Sequence, residues 1–98
     1  MKLTEKSKLT GKASLNFLIK NGHIGHLQES IQNSLIVDWF DSVGIYIFPC
    51  HNFGWGFEIF QDGDDKVSKI GCDYNSRNEA INEAIIKANK IFNQNNKG

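Results

Sequence analysis

The chain predicts an α+β fold: a three-stranded antiparallel sheet with helices packed on one face, in the order α-β-β-β-α, plus a short N-terminal element. Three observations carry this. Apolar residues recur at helical spacing from Leu27 to Val43, switch to a period of two after Gly44, and return to helical spacing after Ser76. The connections between the period-two segments are short, which favours an antiparallel meander over crossovers. Helices flanking an unbroken run of strands suit two layers, each burying its apolar side against the other.

Residues 1–12 are polar and lysine-rich, and are expected to be a flexible N-terminus; residues 13–93 form the domain, and 94–98 a polar tail. Residues 13–20, ASLNFLIK, are apolar and stop at Asn21-Gly22. A short helix or turn closed by glycine fits them, and so does a strand. From Leu27, the residues Leu27, Ile31, Leu35, Trp39 and Val43 recur every four positions, widened by Ile36 and Phe40. This is an amphipathic helix, ended by Gly44. The segments GIYIFPC, GWGFEIFQ and KVSKIGCDY then read as strands, joined at His51-Asn52-Phe53 and at Asp62-Gly63-Asp64-Asp65. Ser76 followed by Glu79 is a capping box that opens the last helix. Its apolar face is Ala80, Ile81, Ala84, Ile85, Ala88 and Phe92, with Lys87 and Lys90 towards the end where the helix dipole favours cations.

Folding the strands about Asn52 and Gly63-Asp64 sets a register. Ile45 opposes Ile59, Ile47 opposes Phe57, Pro49 opposes Trp55, Phe57 opposes Ile70 and Trp55 opposes Cys72. One face then collects Ile45, Ile47, Trp55, Phe57, Ile59, Ile70 and Cys72 and belongs under the helices. The other collects Tyr46, Phe48, Cys50, Glu58, Phe60, Val67 and Lys69. Its charges mark it as the solvated side, yet its aromatics are contiguous, which is the mark of an interaction site. Three occupants fit: residues 1–20 of the same chain, through Phe17, Leu18 and Ile19; a protein partner or second copy; or a small molecule or nucleobase stacked on the rings.

Composition narrows the function. With 40% hydrophobic and 11% aromatic residues, these 98 residues make an ordinary folded unit, not a disordered one. Eleven basic and eleven acidic side chains cancel, whereas a phosphate-backbone binder needs a basic stripe. No apolar run approaches the roughly 18 residues of a membrane span. The start, MKLTEKSKLTGKAS, lacks the apolar stretch of a secretory signal. The cytoplasm is the expected compartment, with Cys50 and Cys72 as reduced thiols.

No motif assigns a catalytic residue, a metal or a cofactor. His23, His26, Cys50, His51 and Cys72 include zinc-type donors, but without the paired spacing of structural zinc sites. Cys50 and His51 are adjacent on a strand and so point to opposite faces, which argues against a catalytic dyad. Asp62, Asp64 and Asp65 lack the remaining ligands of a calcium loop. Asp38 and Asp41 have no acid partner across a cleft. Gly54, Gly56 and Gly63 lie in hairpins, not between a strand and a helix, so they form no phosphate-binding fingerprint.

The helix–strand–strand–strand–helix order over residues 27–93 resembles the double-stranded-RNA-binding domain. That family grips phosphates with a basic cluster at the start of its last helix. The matching stretch here, Ser76 to Glu83, has one arginine and two glutamates. The stretches LIVDWFDSVGIYI, NFGWGFEIF and YNSRNEAINEAIIKA also resemble uncharacterised short proteins of bacterial phages and mobile elements. The last helix is similar to the ends of small antitoxins. These resemblances imply a small accessory protein acting on a host protein.

The sequence therefore leads to a non-enzymatic protein-binding module that uses Tyr46, Phe48, Phe60, Val67 and Lys69 to hold a protein partner or to self-associate. The alternatives are an antitoxin-like protein and nucleic-acid binding, with the rings as stacking platforms and Lys66 and Lys69 on phosphates.

Overall fold

A computed structural model describes residues 9–51, 54–63 and 69–96. The elements are α1 (Gly11–Asn21), α2 (Glu29–Ser42), β1 (Ile45–His51), β2 (Trp55–Gln61), β3 (Lys69–Tyr74) and α3 (Arg77–Asn95). The strands form one antiparallel sheet in the order β1-β2-β3. This is the predicted α+β class, and its N-terminal element is a helix.

The core lies between the sheet and the helices α2 and α3. Its largest fully buried side chains are Phe40 from α2, Phe57 and Ile59 from β2, and Ile85 from α3. Trp39 joins the three helices: its ring lies 5.9 Å from Phe17 of α1 and 5.1 Å from Phe92 of α3. The folded body starts before residue 13. Leu9 is buried in this core, and Thr10 is held by two asparagines of α3. Gly22 closes α1, donating its N–H to the Leu18 carbonyl at 2.7 Å.

The predicted stripe of α2 needs correction. Ile36, Trp39, Phe40 and Asn33 are buried, whereas Ile31 and Val43 are exposed and Leu27 precedes the helix. The reason is angular. A spacing of four overshoots a 3.6-residue turn by about 40° each time, so a strict i, i+4 series drifts off any one face. The turn from α2 into β1 depends on Gly44, whose φ is +86°. A Cβ there would also meet the Asp62 carboxylate at 2.8 Å.

All six predicted apolar residues of α3 are buried. Ser76 Oγ accepts the Glu79 N–H at 3.1 Å, as a capping box requires. The Glu79 carboxylate reaches one residue further back, accepting the Asn75 N–H at 2.7 Å. The helix runs on to Asn95, so Lys87 and Lys90 fall short of a last turn that holds no basic residue.

The register of β1 and β2 is offset by two from expectation: Ile45 pairs with Gln61, Ile47 with Ile59 and Pro49 with Phe57. An offset of two preserves the phase, so Ile45, Ile47, Phe57 and Ile59 still face the core. The β2–β3 register slips by one. Glu58 opposes Ile70, Phe57 opposes Gly71 and Ile59 opposes Lys69. That slip reverses the predicted faces of β3: Ile70 is 67% exposed and Cys72 is exposed, where both were expected inside.

A bulge causes part of this. Trp55 pairs with Tyr74 while Phe57 pairs with Gly71, leaving Cys72 and Asp73 opposite Gly56 alone. Asp73 takes up the extra length at φ +71°. The bulge brings the backbones so close that a Cβ on Gly56 would sit 2.5 Å from the Gly71 carbonyl oxygen. Trp55, expected in the core, is only partly buried and lies 4.7 Å from the His51 ring.

Candidate interaction surface on the outer sheet face

The sheet face turned away from the helices is built in rows. Tyr46 stands beside Phe60, and Phe48 beside Glu58 and then Ile70. Cys50 stands beside Gly56, with Cys72 beyond it. The period-two pattern places these residues: once Ile45, Ile47, Phe57 and Ile59 turn inward, the intervening side chains must turn out. Phe48 is 52% exposed, and its ring meets that of Phe60 edge-on at 5.5 Å. They are diagonal cross-strand neighbours, since Phe48 pairs with Glu58. Tyr46 is anchored sideways, its hydroxyl donating to Asp62 Oδ1 at 2.6 Å. That bond to a carboxylate raises the Tyr46 pKa above 10.0, so the hydroxyl stays a donor.

Tyr46, Phe48 and Phe60 are thus brought together as the sequence predicts. Lys69 pairs with Ile59 in the register, and Ile70 stands in the outer row beside Glu58. Val67 and Lys66 lie outside the described residues. The only signal for Ile70 is the glycine after it, where a Cβ would run into the Phe57 ring. Phe17 does not cover this face, because it is buried on the helix side against Trp39; Ile19 is 75% exposed.

The charged side chains described on and around this face are acidic. Glu58 sits between Phe48 and Ile70, and Asp62 and Asp73 lie at the rim. The Cys72 thiol points at Asp73 Oδ2 across 3.6 Å, and the Asp73 charge lifts its pKa above 9.0. It is therefore a protonated, weakly nucleophilic thiol at neutral pH. Among the described residues, no three of His, Cys, Asp and Glu gather to hold a metal ion, and no helix is long and apolar enough to cross a membrane.

A second concave feature, which the sequence did not reveal, lies on the other side of the sheet. It is a cleft of about 220 Å³ between α2, β1 and the start of α3. Its residues come from three segments distant in sequence, so no local motif announces it.

No protein-family model, curated protein or solved structure matches the chain.

Proposed function

We propose that this protein is a non-enzymatic protein-binding module, and that the outer sheet face is where it binds. The observation that carries this is Phe48 and Ile70, more than half exposed, on either side of Glu58. Leaving such side chains in water forgoes roughly 1.5–3 kcal/mol each relative to burial, which a partner recovers. Glu58 in the middle specifies the partner's chemistry: an apolar patch carrying one lysine or arginine. It also disfavours a two-fold dimer centred on this face, which would place two Glu58 carboxylates against each other. The acidic groups Glu58, Asp62 and Asp73 speak against nucleic acid, because they would repel phosphates. In biological terms the binding is that of a small accessory or inhibitory protein acting on a host factor.

The test is affinity capture from the cells that make the protein, comparing the parent with Phe48→Ala, Ile70→Ala and Glu58→Lys. A partner held by the parent and lost from all three, with unchanged thermal melting, is the expected result. A partner captured equally by every bait removes the outer face from the proposal. Unfolding of the alanine variants would show that these side chains act as core.

A further inference from the structure

The first helix leaves an apolar stripe in water that the core does not use. Lys12, Leu15 and Ile19 follow at i, i+3 and i+7 of α1, which puts them on one face. Leu15 is 59% exposed, Ile19 is 75% exposed, and Lys12 is exposed beside them. The opposite side of the helix carries Ala13 and Phe17 into the core. At the helical rise per residue the stripe is about 10 Å long. Its charge has a single sign: Lys12 and Lys20 are the charged side chains of α1, and no acid stands between Leu9 and Gln28.

The outer sheet face is its complement. Phe48, Glu58 and Ile70 stand abreast on the three strands, across two strand spacings, or about 10 Å. Asp62 and Asp73 lie at the rim. This face calls for an apolar patch carrying one cation, and the α1 stripe is two aliphatic side chains and one lysine. The long, flexible Lys12 stem lets the ammonium reach Glu58 while Leu15 and Ile19 cover Phe48 and Ile70.

One copy cannot join the two surfaces. Thr10 ties the start of α1 to Asn89 and Asn93 of α3, and Phe17 packs on Trp39. Those contacts hold α1 on the helix side of the sheet, whereas the outer face is turned away from it.

We infer that a second copy of this chain occupies the outer sheet face through the Lys12–Leu15–Ile19 stripe of its α1. The inference rests on the reading of that face as a binding surface and adds an occupant that competes there with a host protein. The contact is head-to-tail, so Lys12 answers Glu58 where a two-fold dimer would set carboxylate against carboxylate. Two different surfaces meet, so every copy keeps one of each free, and association extends into chains or closes as a ring. The contact is small beside the roughly 1,600 Å² of a stable interface, so it is weak and builds up as the protein accumulates. Self-association thereby sets how many faces stay free.

The test is sedimentation velocity of the full chain from about 10 μM to about 1 mM, the range of weak interfaces. The mean sedimentation coefficient of the parent should rise with concentration. Ile19→Glu should weaken association roughly tenfold or more, and so should Phe48→Ala combined with Ile70→Ala, since each removes apolar contact. Mixed in equal amounts, these two variants should form a dimer and stop there, because one intact stripe and one intact face remain. Glu58→Lys should also lose association and regain it on mixing with Lys12→Glu, a rescue that decides the matter even where the alanine variant melts early. A parent that stays monomeric throughout overturns the inference; capture of a host protein lost on Phe48→Ala would then leave the reading of the face standing. Association that survives Ile19→Glu but not the alanine pair means face-to-face pairing and overturns it. Association that survives the alanine pair but not Ile19→Glu sends α1 to another surface and overturns it equally, as does the absence of rescue in both mixtures.

Discussion

Asp38 and Asp41 lie in the last two turns of α2, where the free carbonyl ends already present negative potential and no basic residue answers it. Partial burial, and then the neighbouring charge of Asp38, raise the pKa of Asp41 above its ordinary 3.8. The folded protein therefore holds this proton more tightly than the unfolded chain does. The stability Asp41 contributes is full below the ordinary value and is lost as pH rises through the raised one. Asp41→Asn, which cannot ionise, should be more stable than the parent at neutral pH. The advantage should vanish when the parent's carboxyl is protonated, below about pH 3. Urea unfolding at both pH values checks this. An advantage that persists in acid would point to packing instead of charge.

Among the elements, the strands show most clearly what the sequence discloses. The alternation of Ile45, Ile47, Phe57 and Ile59 gives the phase of β1 and β2, because one-sided burial forces it. The offset of two is invisible, since the same faces result. The slip at β3 shows in no apolar pattern, and the bulge at Cys72-Asp73 beyond it turns on a left-handed aspartate that carries none either. The docking of α1 is equally hidden. Asn89 and Asn93 look like surface amides within an otherwise apolar helix face. In the fold, Asn93 Oδ1 accepts the Ala13 N–H at 2.9 Å and its Nδ2 donates to the Thr10 carbonyl at 2.8 Å. Asn89 Oδ1 accepts the Thr10 N–H at 2.9 Å. The two Oδ1 atoms take N–H groups that the start of α1 leaves unpaired, while the Thr10 carbonyl also accepts from Ser14. Asn93→Ala should cost about 1–3 kcal/mol by stranding the Ala13 N–H. Hydrogen exchange should show α1 amides losing protection first, with the sheet amides still slow. Uniform loss across the molecule would mean that α1 is not held separately by this latch.

For the whole molecule, the question is why a three-stranded sheet, whose outer strands have no further strand beside them among the described residues, would offer a face and not an edge. Asp62 donates to the Gly44 carbonyl at 2.9 Å, which makes Gly44–Asp62 a hydrogen-bonded pair in the β1–β2 register. Pairs alternate, so Tyr46, Phe48 and Cys50 bond inward to β2, while Ile45, Ile47, Pro49 and His51 direct their backbone groups to the free edge. Pro49 therefore removes an N–H from the edge and none from the ladder. At the opposite edge, the bulge in β3 interrupts any regular row of donors and acceptors. With both edges blunted, the proposed partner is left to meet side chains on the outer face. Pro49→Val restores the missing donor and suits a strand. In a Phe48→Ala background, which weakens the face, this change should produce concentration-dependent dimers or larger species in sedimentation velocity, with the β content of the circular dichroism spectrum kept or raised. If that double variant sediments as the Phe48→Ala parent does at every concentration, Pro49 does not guard the edge, and the choice of face over edge must rest on the side chains alone.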